Sequence, residues 1–365
     1  YAVDTAAGAV VFPTAPSAAG GHADNVRITY RVMGDERYKI LGCDRLCVFD
    51  NRVFAAGAQR GILRHSRLDD PAYFADTDWY REGESAVTAL VAGEGCLYAF
   101  TEQGVCRHTP SLDYELGRIY PTVPLSVTVG CTGQAVAFVD DIVWRSARGV
   151  EGLADGFGHR STLIDTDLSR FEAGQMTVWG SYLCLHVDGR IYLADGRAPY
   201  RTDGRREYEW FVWDCDVDAV CGIGEQLYWV RGGRVGVFEG STDEGQPFAS
   251  YVETRAECMG DLALRKRVGA QGAAALFKKI ANSDVTVSSI VDGGLPQPLC
   301  TFHLGGLDFA NLDFSTLSFT VGEQDIVRLP LRVKDFLTLS LRFESKRRFG
   351  VATTRYHARP IGYIK

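Results

Sequence analysis

The chain has 365 residues, 46% of them hydrophobic, with a mean hydropathy of −0.08 and a formal net charge of −7. That balance excludes a disordered polyelectrolyte, and no run approaches the ~20 apolar residues of a membrane-spanning helix. The length allows two sizeable cores.

The charge is unevenly divided. Residues 1–250 carry 23 Lys+Arg against 35 Asp+Glu, whereas residues 251–365 carry 16 against 11. Lys39 is the one lysine before residue 250. This shift places a domain boundary near 245–260, with an acidic body and a basic foot.

Residues 1–24 are rich in Ala, Gly, Pro and Ser and read as an N-terminal arm, or as a ring-closing strand through Ala9–Phe12. Asn25–Met33 alternates, and Arg37–Gly42 answers it across Gly34-Asp35-Glu36 as a hairpin. A second hairpin follows at Leu46–Phe49 and Arg52–Ala56. His65–Phe74 breaks the period with Asp70-Pro71 and reads as a packed surface loop.

Val91–His108 is the clearest unit: an alternating strand Cys96–Phe100, a polar turn at Thr101–Gly104 and a return strand. Related units recur at 129–150, 179–196 and 222–240, with a degenerate one at 49–66. Aligning Phe54, Phe100, Phe138, Leu185 and Trp229 gives spacings of 46, 38, 47 and 44 residues, with Gly95, Gly133, Gly180 and Gly224 five residues earlier. A strand–turn–strand repeat of ~40–50 residues is the mark of β-propeller blades. The expected fold is all-β: a propeller of five to six irregular blades over 25–247, with Gly149–Arg160 and Asp195–Arg206 as connections between strands.

From Phe248 the pattern changes. Asp284–Val291, Cys300–Leu304, Ile326–Val333, Leu337–Glu344 and Val351–His357 have the spacing of an antiparallel β-sandwich, expected over 248–365. Ala263–Ala281 is ambiguous between strand and a helical turn at Ala273–Phe277, and Leu304–Leu317 reads as an irregular loop.

Chemistry-bearing patterns are weak. Ser241–Phe248 fits the Asp-box string of sialidase-type propellers, a structural turn motif in a single copy. Asp214, Asp216 and Asp218 share one strand face as Ca²⁺ ligands could, but without the Gly and distal Glu of an EF-hand loop they read first as a solvated edge; Asp165 and Asp167 are a fainter case. The ten cysteines lie mostly within apolar strand patterns and show no zinc spacing, so they read as reduced structural thiols. No nucleophile elbow, Walker motif or dinucleotide fingerprint occurs, so the sequence argues for no enzyme, no cofactor and no metal. The dense cations are Lys346, Arg347 and Arg348, with Arg342, Arg355 and Arg359 nearby; they form a candidate interface for protein, and less for DNA.

Three segments carry a family resemblance. Asp50–Ser66 with Arg67–Phe74 resembles the "R-[LV]-[FW]-x-A-G … S … D-P-x-x-F" passage of tailed-bacteriophage propeller proteins. Ala89–Val105 is similar to their "L-x-V-F-T-E-x-G-V" hairpin, and Ile142–Val150 to the blade ending that follows. Pro330–Lys365, closing on Tyr356 and Gly362-Tyr363, is similar to the sandwich that trails such propellers. The resemblance implies a virion structural protein of the nozzle, head-closure or adaptor type, made in the host cytoplasm. It would form a ring with copies of itself, beside neighbouring tail or connector proteins and in transient contact with viral DNA. A carbohydrate-binding or glycosidase-like propeller, or a host-surface adhesion module, is the alternative.

Overall fold

The computed structural model describes residues 2–4, 9–14, 39–57, 59–115, 117–164, 174–240, 242–243, 245–278, 280–305 and 324–363. The chain divides into two units, Tyr1–Phe238 and Glu239–Lys365, so the boundary lies just ahead of the composition shift. Both units are built of antiparallel strands.

In the first unit, β1 (Ala2–Asp4) pairs with β2 (Ala9–Val11). The run expected as a ring-closing strand therefore pairs locally instead. The expected hairpin at 25–42 lies outside the described residues up to 38, and residues 39–42 form a turn rather than a strand.

Five blades follow. The first is β3 (Arg45–Phe49), β4 (Arg52–Ala56), β5 (Ile62–His65) and β6 (Trp79–Arg81). The second is β7 (Val87–Gly93), β8 (Cys96–Thr101) and β9 (Val105–His108); a small hairpin, β10 (Ser111–Asp113) and β11 (Gly117–Ile119), then intervenes before the outer strand β12 (Thr122–Ser126). The third is β13 (Ala135–Phe138), β14 (Asp141–Ser146), β15 (Gly149–Gly152) and β16 (Gly158–His159). The fourth is β17 (Gln175–Trp179), β18 (Tyr182–Val187), β19 (Arg190–Thr202) and β20 (Arg205–Asp214). The fifth is β21 (Ala219–Ile223), β22 (Gln226–Arg231) and β23 (Arg234–Val237).

Two stretches expected as connections are strands. Gly149–Arg160 supplies β15 and β16. Asp195–Arg206 continues β19 past a register shift into β20 through Asp203-Gly204, both at positive φ (51° and 79°), the backbone that a two-residue hairpin turn requires.

The repeat is more regular than the aromatic alignment suggests. Each blade joins its first two strands by a two-residue turn whose first residue has positive φ: Asp50 (49°), Glu94 (51°), Val139 (55°), Gly180 (53°) and Gly224 (59°). The position numbers 50, 94, 139, 180 and 224 give steps of 44, 45, 41 and 44. Third-blade residues Gly133 and Phe138 belong before and on the first strand, whereas Phe100, Leu185 and Trp229 lie on second strands. Val139 hides the third copy because a β-branched residue at positive φ is not read as a turn former.

Cores lie between blades. Cys47, Phe54 and Leu63 of the first blade pack on Leu90, Leu97 and Ala99 of the second. Tyr98 and Phe100 meet Ile142 and Trp144 of the third. Phe138 and Val143 meet Leu183, Leu185 and Tyr208 of the fourth, and Ile191 and Leu193 meet Val220 and Leu227 of the fifth. First strands are also tied across blades by hydrogen bonds. Gln134 accepts from Met176 N, Gln175 from Val220 N (3.3 Å) and Thr177 from Gly222 N (2.9 Å), and Arg45 Nε donates to Thr88 O (2.6 Å).

The two ends of this series differ. Leu46 (63% exposed) and Val48 (72%) lie on the first blade's far face, where cross-strand pairing sets them beside Ala55 and Val53. Ile223 (63%) and Val235 (72%) lie on the fifth blade's far face. Leu90 and Ala92, the second-blade counterparts of Leu46 and Val48, are partly buried.

The second unit is a sandwich. One sheet runs β24 (Ser250–Glu253), β30 (Leu339–Ser345), β26 (Ser283–Val291), β27 (Gln297–Leu304). The other is centred on β25 (Leu264–Lys278), which pairs with β28 (Gln324–Leu329), β29 (Val333–Phe336) and β31 (Gly350–Tyr363). The ambiguous Ala263–Ala281 is thus mainly one long strand; its alternate residues Ala273, Ala275 and Phe277 face Val285, Leu341 and Phe343 in a single core. The loop expected at 304–317 lies outside the described residues from 306. None of the ten cysteines, all of them among the described residues, is in a disulfide.

Gly222 shows how closely blades approach. A Cβ there would stand 1.8 Å from Val178 O, a backbone atom of the neighbouring first strand. Gly222→Ala should therefore lower unfolding free energy by about 1–3 kcal/mol in urea titrations, the usual range for overpacking a closed contact.

Candidate functional site

The densest polar constellation joins the first two blades. Tyr120, fully buried, stands between β11 and β12. Its hydroxyl donates to Asp50 Oδ2 (2.7 Å) and accepts from Arg52 Nε (3.0 Å), and its backbone N donates to Tyr80 OH (2.9 Å). Arg118 donates to both Asp50 oxygens (2.7 and 3.0 Å). His108 Nδ1 donates to Tyr120 O (3.1 Å), and its Nε2 lies 2.8 Å from Glu82 Oε1, with both side chains fully buried. His65 stacks on Tyr80, donates from Nδ1 to Ser66 O (3.0 Å) and lies 3.9 Å from Asp78.

The electrostatics follow from these contacts. The Arg118 guanidinium holds the Asp50 carboxyl below the usual carboxylate range; burial opposes it and the Tyr120 hydroxyl adds to it. Burial, and then Asp50, push the Tyr120 phenol up to about 12. Burial drives the His65 imidazole down, outweighing Ser66 O and Asp78. Burial and the nearby Glu82 push the Cys106 thiol up to about 12, so it is no nucleophile at neutral pH.

A second buried constellation joins the third and fourth blades. Arg160 and Asp141 form an ion pair at 2.9 Å with both side chains at most 1% exposed. Asp141 also accepts from Leu153 N and Ala154 N (both 2.7 Å) and from Tyr208 OH (3.3 Å), while Arg160 donates to Ala154 O and Gly158 O. A buried pair so fully hydrogen-bonded holds register and cannot reach a substrate. The first strands, side by side from blade to blade, carry no Asp, Glu, His or Lys, and Arg45 is their only charged residue.

The residues singled out in sequence separate in space. Asp214 pairs with Arg190 (2.9 Å), Asp216 with Arg231 (3.2 Å), and Asp218 accepts from Gly232 N (2.7 Å), so the three do not converge. Among the described residues, no group of three His, Cys, Asp or Glu side chains is placed to hold a metal ion. The fainter pair Asp165 and Asp167 lies outside the described residues. Asp243 and Gln246 exchange backbone hydrogen bonds around Gly245 (φ 81°), a tight turn, but Phe248 is 54% exposed instead of packed beneath it as the Asp-box reading requires.

The basic residues do not make one patch. Lys346, Arg347 and Arg348 are exposed in the turn leading from β30 to β31. Arg342 lies on β30, its guanidinium 3.7 Å from the Tyr251 ring centroid and 3.5 Å from Glu344. Arg355 is on β31 opposite Ala274, in the other sheet, and Arg359 follows opposite Arg267. Lys346 and Arg347 instead share an open groove with Asp284, Thr286, Glu344 and Ser345. Sequence order hid this, because Asp284 arrives from β26 through the pairing of Thr286 with Glu344.

No family model matches the chain, and no curated protein matches it. Solved structures do. The glutaminyl cyclase of Myxococcus xanthus is 13% identical, covering 54% of this chain and 92% of its own, with a TM-score of 0.30. The Cps50 (Swd1) β-propeller domain of Myceliophteria thermophila is 12% identical over 52% and 63%, with a TM-score of 0.32. An exo-β-1,3-galactanase of Phanerochaete chrysosporium is 13% identical over 86% and 79%, with a TM-score of 0.27. At these values no residue role, substrate or activity carries over. They do correct one expectation: enzymes stand among the matched structures, so the absence of a familiar motif excludes no activity and the expectation of no enzyme is withdrawn.

Two outcomes test the constellation between the first blades. Tyr120→Phe removes a buried hydroxyl with two charged partners and should cost about 1–3 kcal/mol in chemical unfolding. Acidification should destabilise in two stages. Burial lowers the proton affinity of His65 and His186, so below the ordinary 6.5 the unfolded chain binds more protons and stability falls. The depressed Asp50, Asp140 and Asp195 carboxyls, held down by Arg118, Arg206 and Arg197, contribute stability above the ordinary 3.8 that is lost as pH falls through their lower folded values. Thermal midpoints measured from pH 8 to pH 3 should show both stages, and His65→Asn should flatten the upper one.

Proposed function

We propose that this chain is a structural subunit of a tailed-phage particle, working in the tail or at the head–tail junction as a nozzle, head-closure or adaptor component. It takes its place as repeated copies beside neighbouring tail or connector proteins. The observation that carries this reading is the pair of blade faces that bear exposed apolar side chains among the described residues, Leu46 and Val48 at one end and Ile223 and Val235 at the other. Leu90, Met176 and Val220, the counterparts of Leu46 on later blades, pack against the preceding blade, so an exposed face at Leu46 suits a protein that works in contact with others.

Two further features support it. Phe74 of the phage-like Asp70–Phe74 passage is fully buried, and Trp144 of the phage-like blade ending is fully buried with Nε1 donating to Gly130 O (3.2 Å). These two aromatics of the resemblance are thus core positions of this fold, whereas Asp70 and Pro71 are exposed. The almost uncharged first strands would offer viral DNA little to bind in passing, since phosphate attachment rests on Lys and Arg.

Antibody detection on density-gradient-purified particles checks the reading: several copies per particle are expected, and absence of the chain from such particles overturns it. Val48→Asp and Val235→Asp, both at exposed positions, should leave the isolated chain's thermal midpoint nearly unchanged and cut its incorporation by about tenfold or more, since one buried apolar side chain is worth roughly 1.5–3 kcal/mol.

A further inference from the structure

The groove on the outer face of the sandwich's first sheet has an unusual balance of chemistry. Its floor is set by cross-strand pairing, with Thr286 facing Glu344 on β30 on one side and Thr301 on β27 on the other. Asp284 lies one pleat along β26, and Lys346 and Arg347 rise from the turn after β30. Tyr251 on β24 pairs with Glu344 and extends the same face; the residue is 56% exposed, and Arg342 lies over its ring.

Two carboxylates and two cations line this groove, with Arg342 3.5 Å from Glu344 at its edge, so charges of both signs are interleaved and an ion of either sign meets like charge. A phosphate or sulfate polymer meets Asp284 and Glu344, and a metal cation meets Lys346 and Arg347. A sugar hydroxyl both donates and accepts, and the groove sets acceptors (Asp284, Glu344), donors (Lys346, Arg347) and hydroxyls (Thr286, Ser345) side by side. Asp284, Thr286 and Ser345 are already held in place. His303 Nδ1 donates to Asp284 Oδ1 (2.9 Å), Thr286 and Thr301 hydroxyls lie 3.1 Å apart, and Arg347 N donates to Ser345 Oγ (3.1 Å). Tyr251 adds an apolar ring at the margin, against which a pyranose face packs well. The groove is open along the sheet instead of closed around a small molecule, which suits a chain read a few units at a time.

We propose that this groove binds a neutral polysaccharide, with Asp284 and Glu344 accepting from sugar hydroxyls, Lys346 and Arg347 donating to them, and Tyr251 stacking at one end. The assignment goes beyond a structural place in a particle and stands independently of it, because it rests on the second unit alone.

The test uses the full chain and a panel of neutral hexasaccharides (α- and β-glucan, xylan, mannan and galactan fragments) in saturation-transfer NMR and calorimetry. At least one should bind, with an affinity unchanged between about 0.05 and 0.5 M salt, because no ionic attraction is screened. Asp284→Asn with Glu344→Gln keeps side-chain shape at exposed positions and should weaken that binding by about tenfold or more, since hydrogen bonds to charged groups are the strong ones. Tyr251→Ala should weaken it as well. The thermal midpoint of each variant is measured alongside, and Lys346→Met provides a second variant that leaves the His303–Asp284 contact alone. Failure of every panel member to bind at millimolar concentration overturns the proposal. So does binding that survives both the double variant and Lys346→Met, or a groove that responds only to inorganic phosphate, a heparin fragment or Ca²⁺.

Discussion

Every blade has two faces and water must be kept from both. The first unit depends on that lateral requirement more than on any single contact. Strands within a blade satisfy backbone hydrogen bonds, but the apolar side chains point out of the blade plane, toward its neighbours. Phe54, Tyr98, Val143 and Cys184 occupy the same step after successive turns, and each is buried by an adjoining blade. Gly222 and Gly93, where a Cβ would strike Val178 O or the Ile142 side chain, mark how near the sheets must come. The buried polar groups respect the same rule. Asp50–Tyr120–Arg118 and Asp141–Arg160–Tyr208 each span a seam between blades, where a polar bond fixes one sheet's register against the next.

Much of this was legible in the sequence, because a β-strand writes its burial as alternation and a tight turn writes itself as Gly with polar neighbours. Cys96–Phe100 between Glu94-Gly95 and Thr101–Gly104 needed little more. The repeat's true step was harder. It is carried by one backbone angle, which Asp50, Glu94, Val139 and the glycines at 180 and 224 all adopt, and identity at that position does not repeat. The large aromatics drew the alignment instead, and in the third blade they sit a strand away. The long hairpin after Asp195 was missed for a related reason: Gly196 and Pro199 look like a connection, whereas the register shift between Asp195 and Tyr200 absorbs them within β19.

The sites were less legible than the fold. Lys346–Arg348 is basic along the chain, but β26 arrives from some sixty residues earlier and lays Asp284 beside it. Asp214, Asp216 and Asp218 show the reverse, a pattern in sequence that three separate partners dissolve in space. Charge read along a strand reports one row of a sheet, and recognition is done by several rows at once.

The seams between blades also set the order in which the chain meets water while it is being made. A blade cannot close its forward face until the following ~44 residues emerge, which at roughly 5–20 residues per second leaves that face bare for about 2–9 s. Phe54 and Leu63 wait for Leu97, Tyr98 waits for Trp144, and Ile191 waits for Leu227. Synthesis thus carries a moving greasy front along the chain, always one blade wide, and a pause in translation lengthens the exposure of one particular sheet. Codon timing and chaperone capture at the starts of β7, β13, β17 and β21 consequently weigh more on the yield of this protein than the same delays placed within a blade.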